Sequence, residues 1–279
     1  MTILNVPQSI IEENVHIALK EDIGDGDITA ELIPAENNSL ATVITRERCV
    51  FCGMDWFEES YQQLSQDILI DWLVEDGDHI DANQIVCTIS GPSRQILSGE
   101  RTAINYIQTL SATATRSAEY AAAIAGTNAS VLDTRKTLPG LRMAQKYAVS
   151  CGGCENHRIG LYDAFLIKEN HIHACGDIQT AVDAARFYNP NLPIEIEVEN
   201  LTELEAAITA KADRVLLDNF DIDTLKKAVH LCKGKVITEA SGNVTLDTIR
   251  SIAETGVRYI STGALTKDIK AIDFSMRFD

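Results

Sequence analysis

Two adjacent cations follow a short apolar run in the segment LDTRKTLPGLR, which spans residues 132–142. Arg135 and Lys136 stand side by side there, and Pro139 and Gly140 predict a turn soon after them. Two cations at the end of a predicted strand are typical of a site that binds an anion, because each needs a negative partner. The segment therefore predicts an anion-binding site at Arg135 and Lys136.

The charge of the chain is acidic overall but not around this segment. The formal net charge is −17 over 279 residues. Residues 131–171 carry six Lys or Arg against four Asp or Glu, whereas the rest of the chain carries 18 basic and 37 acidic side chains. A cationic pocket in an acidic protein suits a small, multiply charged anion. The overall charge argues against nucleic acid as a partner, because phosphate backbones bind to basic surfaces.

Each of six short apolar runs ends in residues that can take part in chemistry. These residues are Thr134, Arg135, Lys136, Lys168, Glu197, Glu199, Asp218, Asn219, Ser241, Gly242, Asn243, Thr262, Gly263 and Ala264. Such a distribution is expected in a β/α barrel, where all strand ends surround one mouth, whereas an open sheet concentrates function at one switch point. The strand ends therefore favour a barrel.

Some of these residues keep more than one interpretation. Lys168 can form a Schiff base, hold a phosphate or carboxylate as a fixed cation, or lie at the rim without a role. Glu195, Glu197 and Glu199 alternate along one strand, so they form either a solvated edge or ligands for sugar hydroxyls and Mg²⁺. Glycine turns after the last two strands indicate phosphate binding through backbone N–H groups. This indication rests on their position at the end of the barrel, because a glycine turn by itself is not specific for phosphate.

The elements that must position these side chains alternate from residue 131 onward. Short β-branched runs predict six strands, and stretches with apolar residues three and four apart predict the helices between them. The predicted strands are residues 130–133, 164–168, 194–199, 214–218, 235–240 and 258–262. Strands that alternate with helices indicate parallel β/α units, and six units are fewer than the eight of a complete barrel.

The first hundred residues follow a different pattern. A helical stretch leads into a Gly/Asp turn, and three strand-like segments joined by turns come after it. This pattern predicts a smaller α+β domain. Residues 98–126 then predict a connector of two successive helices that leads into the barrel.

The cysteines and the apolar runs bear on the compartment. Seven cysteines without an export signal indicate reduced thiols and a cytoplasmic protein, and no apolar run reaches the roughly 20 residues of a membrane span. Two C-x-x-C pairs, at residues 49–52 and 151–154, lie too far apart for the usual zinc spacing, so neither is expected to bind metal or to have a redox role. A metal site at HIHAC, residues 171–175, is less favoured than a plain loop.

Several motifs together resemble the quinolinate phosphoribosyltransferase family. They are EDIGDGDIT, SGERTAINYIQTLSATAT, DTRKTLPGLRMAQKYAV, CGGCENHRIGLYDAFLIKENHI, LLDNF, EASGNV and STGALT, and they run through almost the whole chain. The resemblance implies an N-terminal α/β sandwich domain, residues 1–103 with residues 268–279 returning to it. It also implies an incomplete, TIM-like β/α barrel over residues 104–267.

The resemblance further implies a reaction. A phosphoribosyl group passes from phosphoribosyl pyrophosphate to quinolinate with decarboxylation, which gives nicotinate mononucleotide for NAD biosynthesis. Quinolinate is implied to bind Arg101, Arg135, Lys136, His157 and Arg158. In the implied homodimer, Arg101 reaches into the partner's site, and a higher oligomer is left open.

The donor side of the implied site comprises carboxylates, a lysine and loops. Lys168, Glu197 and Asp218 are implied to engage phosphoribosyl pyrophosphate and, directly or through it, Mg²⁺. The catalytic residues implied are Lys136, Lys168, Glu197 and Asp218. Further binding positions implied are Thr134, Ser241, Gly242, Asn243, Thr262, Gly263 and Ala264.

One position departs from the family pattern, and three other functions stay open. Cys154 stands where the family often has a third glycine, which leaves the loop before His157 less defined. The alternatives are a protein of the same fold that uses another acceptor, a Schiff-base lyase that uses Lys168, and a binding protein that senses the same ligands without turnover.

Overall fold

The computed structural model describes residues 3–278, which group into two compact units. The first unit contains the residues up to Ala118, Thr137–Gly153 and the residues from Leu265 onward. The second contains Glu119–Lys136 and Cys154–Ala264. The domain ranges predicted from the sequence, 1–103 with 268–279 and 104–267, stay predictions.

The first unit is built on an antiparallel sheet. Its four strands lie in the order β12-β1-β5-β3, and a separate two-stranded ribbon pairs β2 with β4. The strands are β1 (Asn38–Thr45), β2 (Cys49–Val50), β3 (Leu69–Trp72), β4 (His79–Ile80), β5 (Ile85–Pro92) and β12 (Phe274–Phe278). Ala41 and Val43 alternate with more exposed neighbours along β1 and are fully buried, so one face of this sheet packs on the core.

Helices complete the first unit. They are α1 (Gln8–Ile23), α2 (Met54–Gln62) and α4 (Arg142–Cys151), together with most of α3 (Ser93–Ala123). The aromatic part of the core is compact: the rings of Phe51 and Phe57 lie 5.6 Å and 5.2 Å from that of Trp72. The α+β character predicted for the first hundred residues is confirmed by these elements.

The prediction of two successive connector helices is wrong, because α3 is one helix of 31 residues. Its segment contains no proline, and its single glycine, Gly99, faces the Tyr61 ring so closely that an added Cβ would lie 2.8 Å from it. The hydroxyls of Thr113 and Ser117 donate to the carbonyls four residues earlier, so these polar residues do not interrupt the helix.

The second unit contains a six-stranded parallel sheet in the order β6-β11-β10-β9-β8-β7. Its strands are β6 (Ser130–Leu132), β7 (Phe165–Ile167), β8 (Ile194–Val198), β9 (Arg214–Asp218), β10 (Ile237–Ser241) and β11 (Tyr259–Ser261). All six predicted strands are therefore confirmed. So is the fold class, an incomplete TIM-like β/α barrel together with an N-terminal α/β domain.

The helix that follows β6 is α4 of the first unit, and further helices follow the other five strands, as the βα repeat requires. They are α5 (Glu169–Cys175), α6 (Ile178–Tyr188), α7 (Leu201–Thr209), α8 (Ile222–Cys232), α9 (Ile249–Ala253) and α10 (Ala264–Lys267). Asp177, Asn200 and Asp221 begin α6, α7 and α8, and each side chain accepts a hydrogen bond from the backbone N–H three residues later. None of the helices in residues 3–278 has the length and apolar character that a membrane span needs.

Candidate active site

A cavity of about 230 Å³ lies at the carboxyl ends of the barrel strands. All six strands or the residues directly after them contribute to it. Its lining comprises Thr134, Arg135, Lys136, His157, Arg158, Leu166, Lys168, Glu197, Leu216, Glu239, Ser241 and Ser261. The predicted convergence of the strand ends on one mouth is therefore observed, and we call this cavity the mouth pocket.

One side of the mouth pocket is cationic. Arg135, Lys136 and Arg158 come from two separate segments of the second unit and line the same cavity. The pKa of Arg158 is lowered, first by burial and then by the positive charge of Arg135, so the two guanidinium groups lie close together. Arg135 Nε is buried without a hydrogen-bond partner within residues 3–278. This arrangement favours an anion with more than one negative group.

Carboxylates and a lysine form a second cluster at the ends of β7, β8 and β9. Lys168 Nζ forms an ion pair with Glu197 Oε2. The pKa of Asp218 is raised, chiefly by burial and then by the charge of Glu197, while Lys168 and Lys136 lower it. The carboxyl of Asp218 thus lies within reach of the charges of both lysines and of Glu197, although it does not line the mouth pocket itself.

The segment that carries His157 and Arg158 is anchored on β6. Asp133, which is fully buried, accepts hydrogen bonds from the backbone N–H of His157 (2.8 Å) and from Asn156 Nδ2 (2.7 Å). Arg158 Nη1 donates to the carbonyl of Ala164 (3.2 Å). Because these bonds hold the chain on both sides of Arg158, its guanidinium group keeps a defined direction.

A buried polar layer adjoins the mouth pocket, which two of its members, His157 and Glu239, also line, and the sequence did not predict this layer as a site. His157 Nε2 lies 2.8 Å from Glu195 Oε2 and 3.5 Å from Glu239 Oε1, and Arg214 Nη1 lies 3.1 Å from Glu239 Oε2. Of the three alternating glutamates, Glu195 and Glu197 lie on β8, whereas Glu199 lies beyond its end at Val198. The same spacing on β10, between Glu239 and Ser241, is the signal that points to Glu239.

The glycine-containing loops after β10 and β11 differ in their relation to the mouth pocket. Ser241 lines it, whereas Gly242 and Asn243 lie beside Asn219, whose Oδ1 accepts from Asn243 Nδ2 at 3.2 Å. In the loop after β11, Gly263 lies so close to Lys136 that an added Cβ would stand 2.9 Å from its Cδ. The flanking loop residues Thr262, Gly263 and Ala264 do not line the cavity. Phosphate binding at both loops stays a prediction.

Two other predicted features do not line the mouth pocket. Arg101 belongs to α3 in the first unit, where it is exposed, and its role stays a prediction. The HIHAC segment is not a loop, because it lies in α5, which begins at Glu169. His171 Nδ1 accepts from the backbone N–H of Lys168 at this helix start (3.1 Å), so His171 serves as part of the cap.

The two C-x-x-C pairs contribute one thiol each to a mixed cluster in the first unit. Potential ligand atoms of Cys52, Asp76 and Cys151 lie within 4.8 Å of one another. Burial raises the pKa of Cys52, and burial is also the main reason why the pKa of Cys154 reaches about 12, so both thiols are protonated at neutral pH. The expectation that neither pair binds metal stays a prediction.

Comparison with known proteins places the chain among enzymes of one kind. Residues 27–111 match the model of the N-terminal domain of quinolinate phosphoribosyl transferase, and residues 113–277 match that of its C-terminal domain. The chain is 40% identical over 257 residues to the probable carboxylating nicotinate-nucleotide pyrophosphorylase of Bacillus subtilis. The alignment covers 92% of this chain and 89% of that relative.

Solved structures agree with these matches. The nicotinate-nucleotide pyrophosphorylase from Francisella tularensis superposes with a TM-score of 0.97 at 48% identity, over 100% of this chain and 99% of that one. NadC from Streptococcus pyogenes superposes with a TM-score of 0.94 at 33% identity, over 98% of each chain.

Proposed function

Because the chain belongs to the quinolinate phosphoribosyltransferase family, we infer that it transfers the phosphoribosyl group of phosphoribosyl pyrophosphate to quinolinate with loss of CO₂. The products are nicotinate mononucleotide, CO₂ and pyrophosphate, and the enzyme is a pentosyltransferase of NAD biosynthesis. The observation that carries this function is the mouth pocket, in which Arg135 and Arg158 approach each other opposite the carboxylate of Glu197.

The cationic side of the mouth pocket fits the acceptor. Quinolinate carries two adjacent carboxylates, and a guanidinium group can hold a carboxylate through two parallel hydrogen bonds. Arg135, Lys136 and Arg158 bind these carboxylates, and His157 lines the same side. Holding both carboxylates fixes the direction of the ring nitrogen, which is an orientation effect on the transfer step.

The cluster of Lys168, Glu197 and Asp218 fits the donor. Lys168 offers a cation to phosphate groups, and the two carboxylates accept hydrogen bonds from ribose hydroxyls. Carboxylate oxygens are also the ligands that Mg²⁺ prefers, so Glu197 and Asp218 would hold this ion, directly or through the donor. When bound, Mg²⁺ offsets the negative charge on the departing pyrophosphate.

The proposed reaction has two steps. In the first, the bond between C1 of the ribose and the pyrophosphate oxygen breaks, and the ring nitrogen of quinolinate supplies the electron pair of the new bond to C1. Glu197 and Asp218 stabilise the positive charge that develops on the ribose. In the second, the C2 carboxylate leaves as CO₂, its electron pair stays at C2 beside the cationic nitrogen, and a proton then binds there. Arg135 and Arg158 keep the ring in place throughout.

We also propose the assembly and the compartment. Arg101 is exposed on the first unit and supplies a further cation to the partner's mouth pocket in a homodimer, because a two-fold axis brings the same surface to both sites. All seven cysteines are thiols rather than members of disulfides, which supports the cytoplasm, where thiols stay reduced.

The direct test is incubation of the protein with quinolinate, phosphoribosyl pyrophosphate and Mg²⁺. We expect nicotinate mononucleotide, CO₂ and pyrophosphate in equal amounts, measured by chromatography and by release of label from the 2-carboxylate. Ligand binding without pyrophosphate release would instead identify a sensor. Trapping of a substrate adduct on Lys168 by borohydride would identify a lyase.

The loop after β10 offers a test of phosphate binding. Gly242 has a φ of +94°, and a Cβ there would lie 2.1 Å from Asn219 Oδ1, so Gly242→Ala must displace the loop. We expect the KM for phosphoribosyl pyrophosphate to rise about tenfold or more, because backbone donors of this loop lose their alignment. The KM for quinolinate should change little.

Gly234→Ala is the matched control for this variant. Gly234 also has a positive φ, +74°, but an added Cβ would meet nothing within 4 Å. It should therefore lose some stability and keep its KM values. A Gly242→Ala enzyme with the wild-type KM for phosphoribosyl pyrophosphate would show that this loop does not bind phosphate.

A further inference from the structure

The buried polar layer contains two carboxyl groups that the proposed reaction does not use. Glu239 is fully buried and itself lines the mouth pocket, and Glu195 is 5% exposed and lies two residues before Glu197, which lines the same pocket. When both are ionised, the Oε1 atom of each is buried without a hydrogen-bond donor in the described part of the chain. Two such groups are costly to bury, so they need a structural or functional reason.

The ring of His157 connects this pair to the mouth pocket. Its Nδ1 accepts the backbone N–H of Arg158 at 2.7 Å, so that nitrogen carries no proton. Its Nε2 lies 2.8 Å from Glu195 Oε2, so the Nε2–H donates there. The ring of His157 thus spans the distance between the buried carboxyls and the backbone of Arg158.

The charges around the pair determine its protonation. Glu239 faces Glu195, His157, Arg214 and Ser261, and Glu195 in addition faces Arg158 and Glu197. Burial, followed by the charge of Glu195, raises the pKa of Glu239 to about 7. A proton on Glu239 allows it to donate to Glu195, which leaves one net negative charge beside Arg214.

This arrangement favours hydrogen bonding over metal binding. His157, Glu195 and Glu239 have potential ligand atoms within 4.8 Å of one another. Arg214 Nη1, however, already lies 3.1 Å from Glu239 Oε2 and supplies a permanent positive charge next to any ion.

We propose that Glu195 and Glu239 are positioning residues for the acceptor: they hold the ring of His157 from its Nε2 side and thereby fix the backbone from which Arg158 enters the mouth pocket. This role rests on the proposed function, since it assigns the acceptor as the molecule that Arg158 holds. It also gives His157 a positioning role in addition to the acceptor contact that the family resemblance implies.

The test compares Glu239→Ala with Glu239→Gln. Glu239→Ala removes the support of the His157 ring, so the KM for quinolinate should rise about tenfold or more, because a small misplacement of a positioning group has large effects. The kcat and the KM for phosphoribosyl pyrophosphate should stay within about threefold, because Lys168 and Asp218 are not displaced. Glu239→Gln keeps the shape and hydrogen-bonding capacity, so it should restore most of the affinity.

The pH profile gives a readout that a purely structural role would not change. In the wild type, ionisation of Glu239 adds a second buried negative charge, which competes with the acceptor for the nearby arginines. The KM for quinolinate should therefore rise between pH 6 and 8, in line with a pKa of about 7. In Glu239→Gln this dependence should disappear. Glu59→Gln, which alters a buried glutamate of the first unit, should behave as the wild type.

Three outcomes would overturn the proposal. The first is that Glu239→Ala changes kcat and both KM values by similar factors. The second is that the KM for quinolinate in Glu239→Gln keeps the pH dependence of the wild type. The third is a stoichiometric metal ion that the wild type holds and Glu239→Ala loses. Calorimetric titration with quinolinate separates this proposal from the function itself: weakened binding in Glu239→Ala supports the positioning role even if no product forms, and unchanged binding excludes it even if the wild type is active.

Discussion

Two variants that are each nearly inactive, Arg101→Ala and Lys168→Ala, should restore activity when their subunits are mixed. In the proposed homodimer, a mixed dimer has one site with an intact Arg101 from one chain and an intact Lys168 from the other. The second site carries both defects. Random mixing makes half of the dimers mixed, so about a quarter of wild-type activity should return. The measurement is the rate of nicotinate mononucleotide formation after co-refolding.

A second mixture provides the matched control. Lys168 and Asp218 both belong to the second unit and to the same cluster, so they come from one subunit. A mixture of Lys168→Ala with Asp218→Ala should stay inactive, because every site of every dimer then carries one defect. If verified mixed dimers of the Arg101 and Lys168 variants also stay inactive, Arg101 acts in its own subunit or has no role in the site.

Nicotinate should be a very poor acceptor compared with quinolinate. It lacks the 2-carboxylate, so part of the cationic side that includes Arg135 and Arg158 would be left without its anion. A site that binds a charged group strongly discriminates against an analogue without that group, because its own charged residues are then left unpaired. We therefore expect kcat/KM for nicotinate to be at least about a thousandfold lower than kcat/KM for quinolinate. The measurement is pyrophosphate release with each acceptor.

Benzene-1,2-dicarboxylate is the control for this comparison. It keeps both carboxylates and lacks the nucleophilic nitrogen, so it should compete with quinolinate and give no product. If nicotinate is used as efficiently as quinolinate, the cations of the mouth pocket do not select a dicarboxylate, and the acceptor role of Arg135 and Arg158 is wrong.

The strand ends were predictable because two sequence signals coincide there. A β-branched run marks a strand, and the first polar residue after it marks the carboxyl end, where a parallel barrel collects its reactive groups. Arg135, Lys168, Glu197 and Ser241 were all found in this way, and all four line the mouth pocket. Their individual roles came from resemblance to a family, because spacing alone does not identify a ligand.

The buried layer was not predictable in the same way. Glu239 lies in the middle of β10, where its two-residue spacing from Ser241 places it on the same face but gives no sign of its burial. Arg214 begins β9, where a charged residue is equally typical of an exposed strand start. Their importance depends on which strands are neighbours, since β10 lies beside β9 and the two side chains meet across that pair. The sequence predicted two helices in place of the single helix α3, because serine and threonine residues in its second half are typical of a helix end.

The pairing of β1 with β12 has a consequence for the order of folding. Thr45 lies opposite Phe274, so the sheet joins segments more than two hundred residues apart in sequence. During synthesis, β1 leaves the ribosome long before β12 exists, and its edge has no strand to pair with in the meantime. The strands of the parallel sheet, by contrast, lie between these two segments in the chain and all emerge before β12. The nascent chain can thus complete its parallel sheet while the antiparallel one still lacks an edge strand, and in that interval the unpaired edge of β1 is open to pairing with strands of other chains.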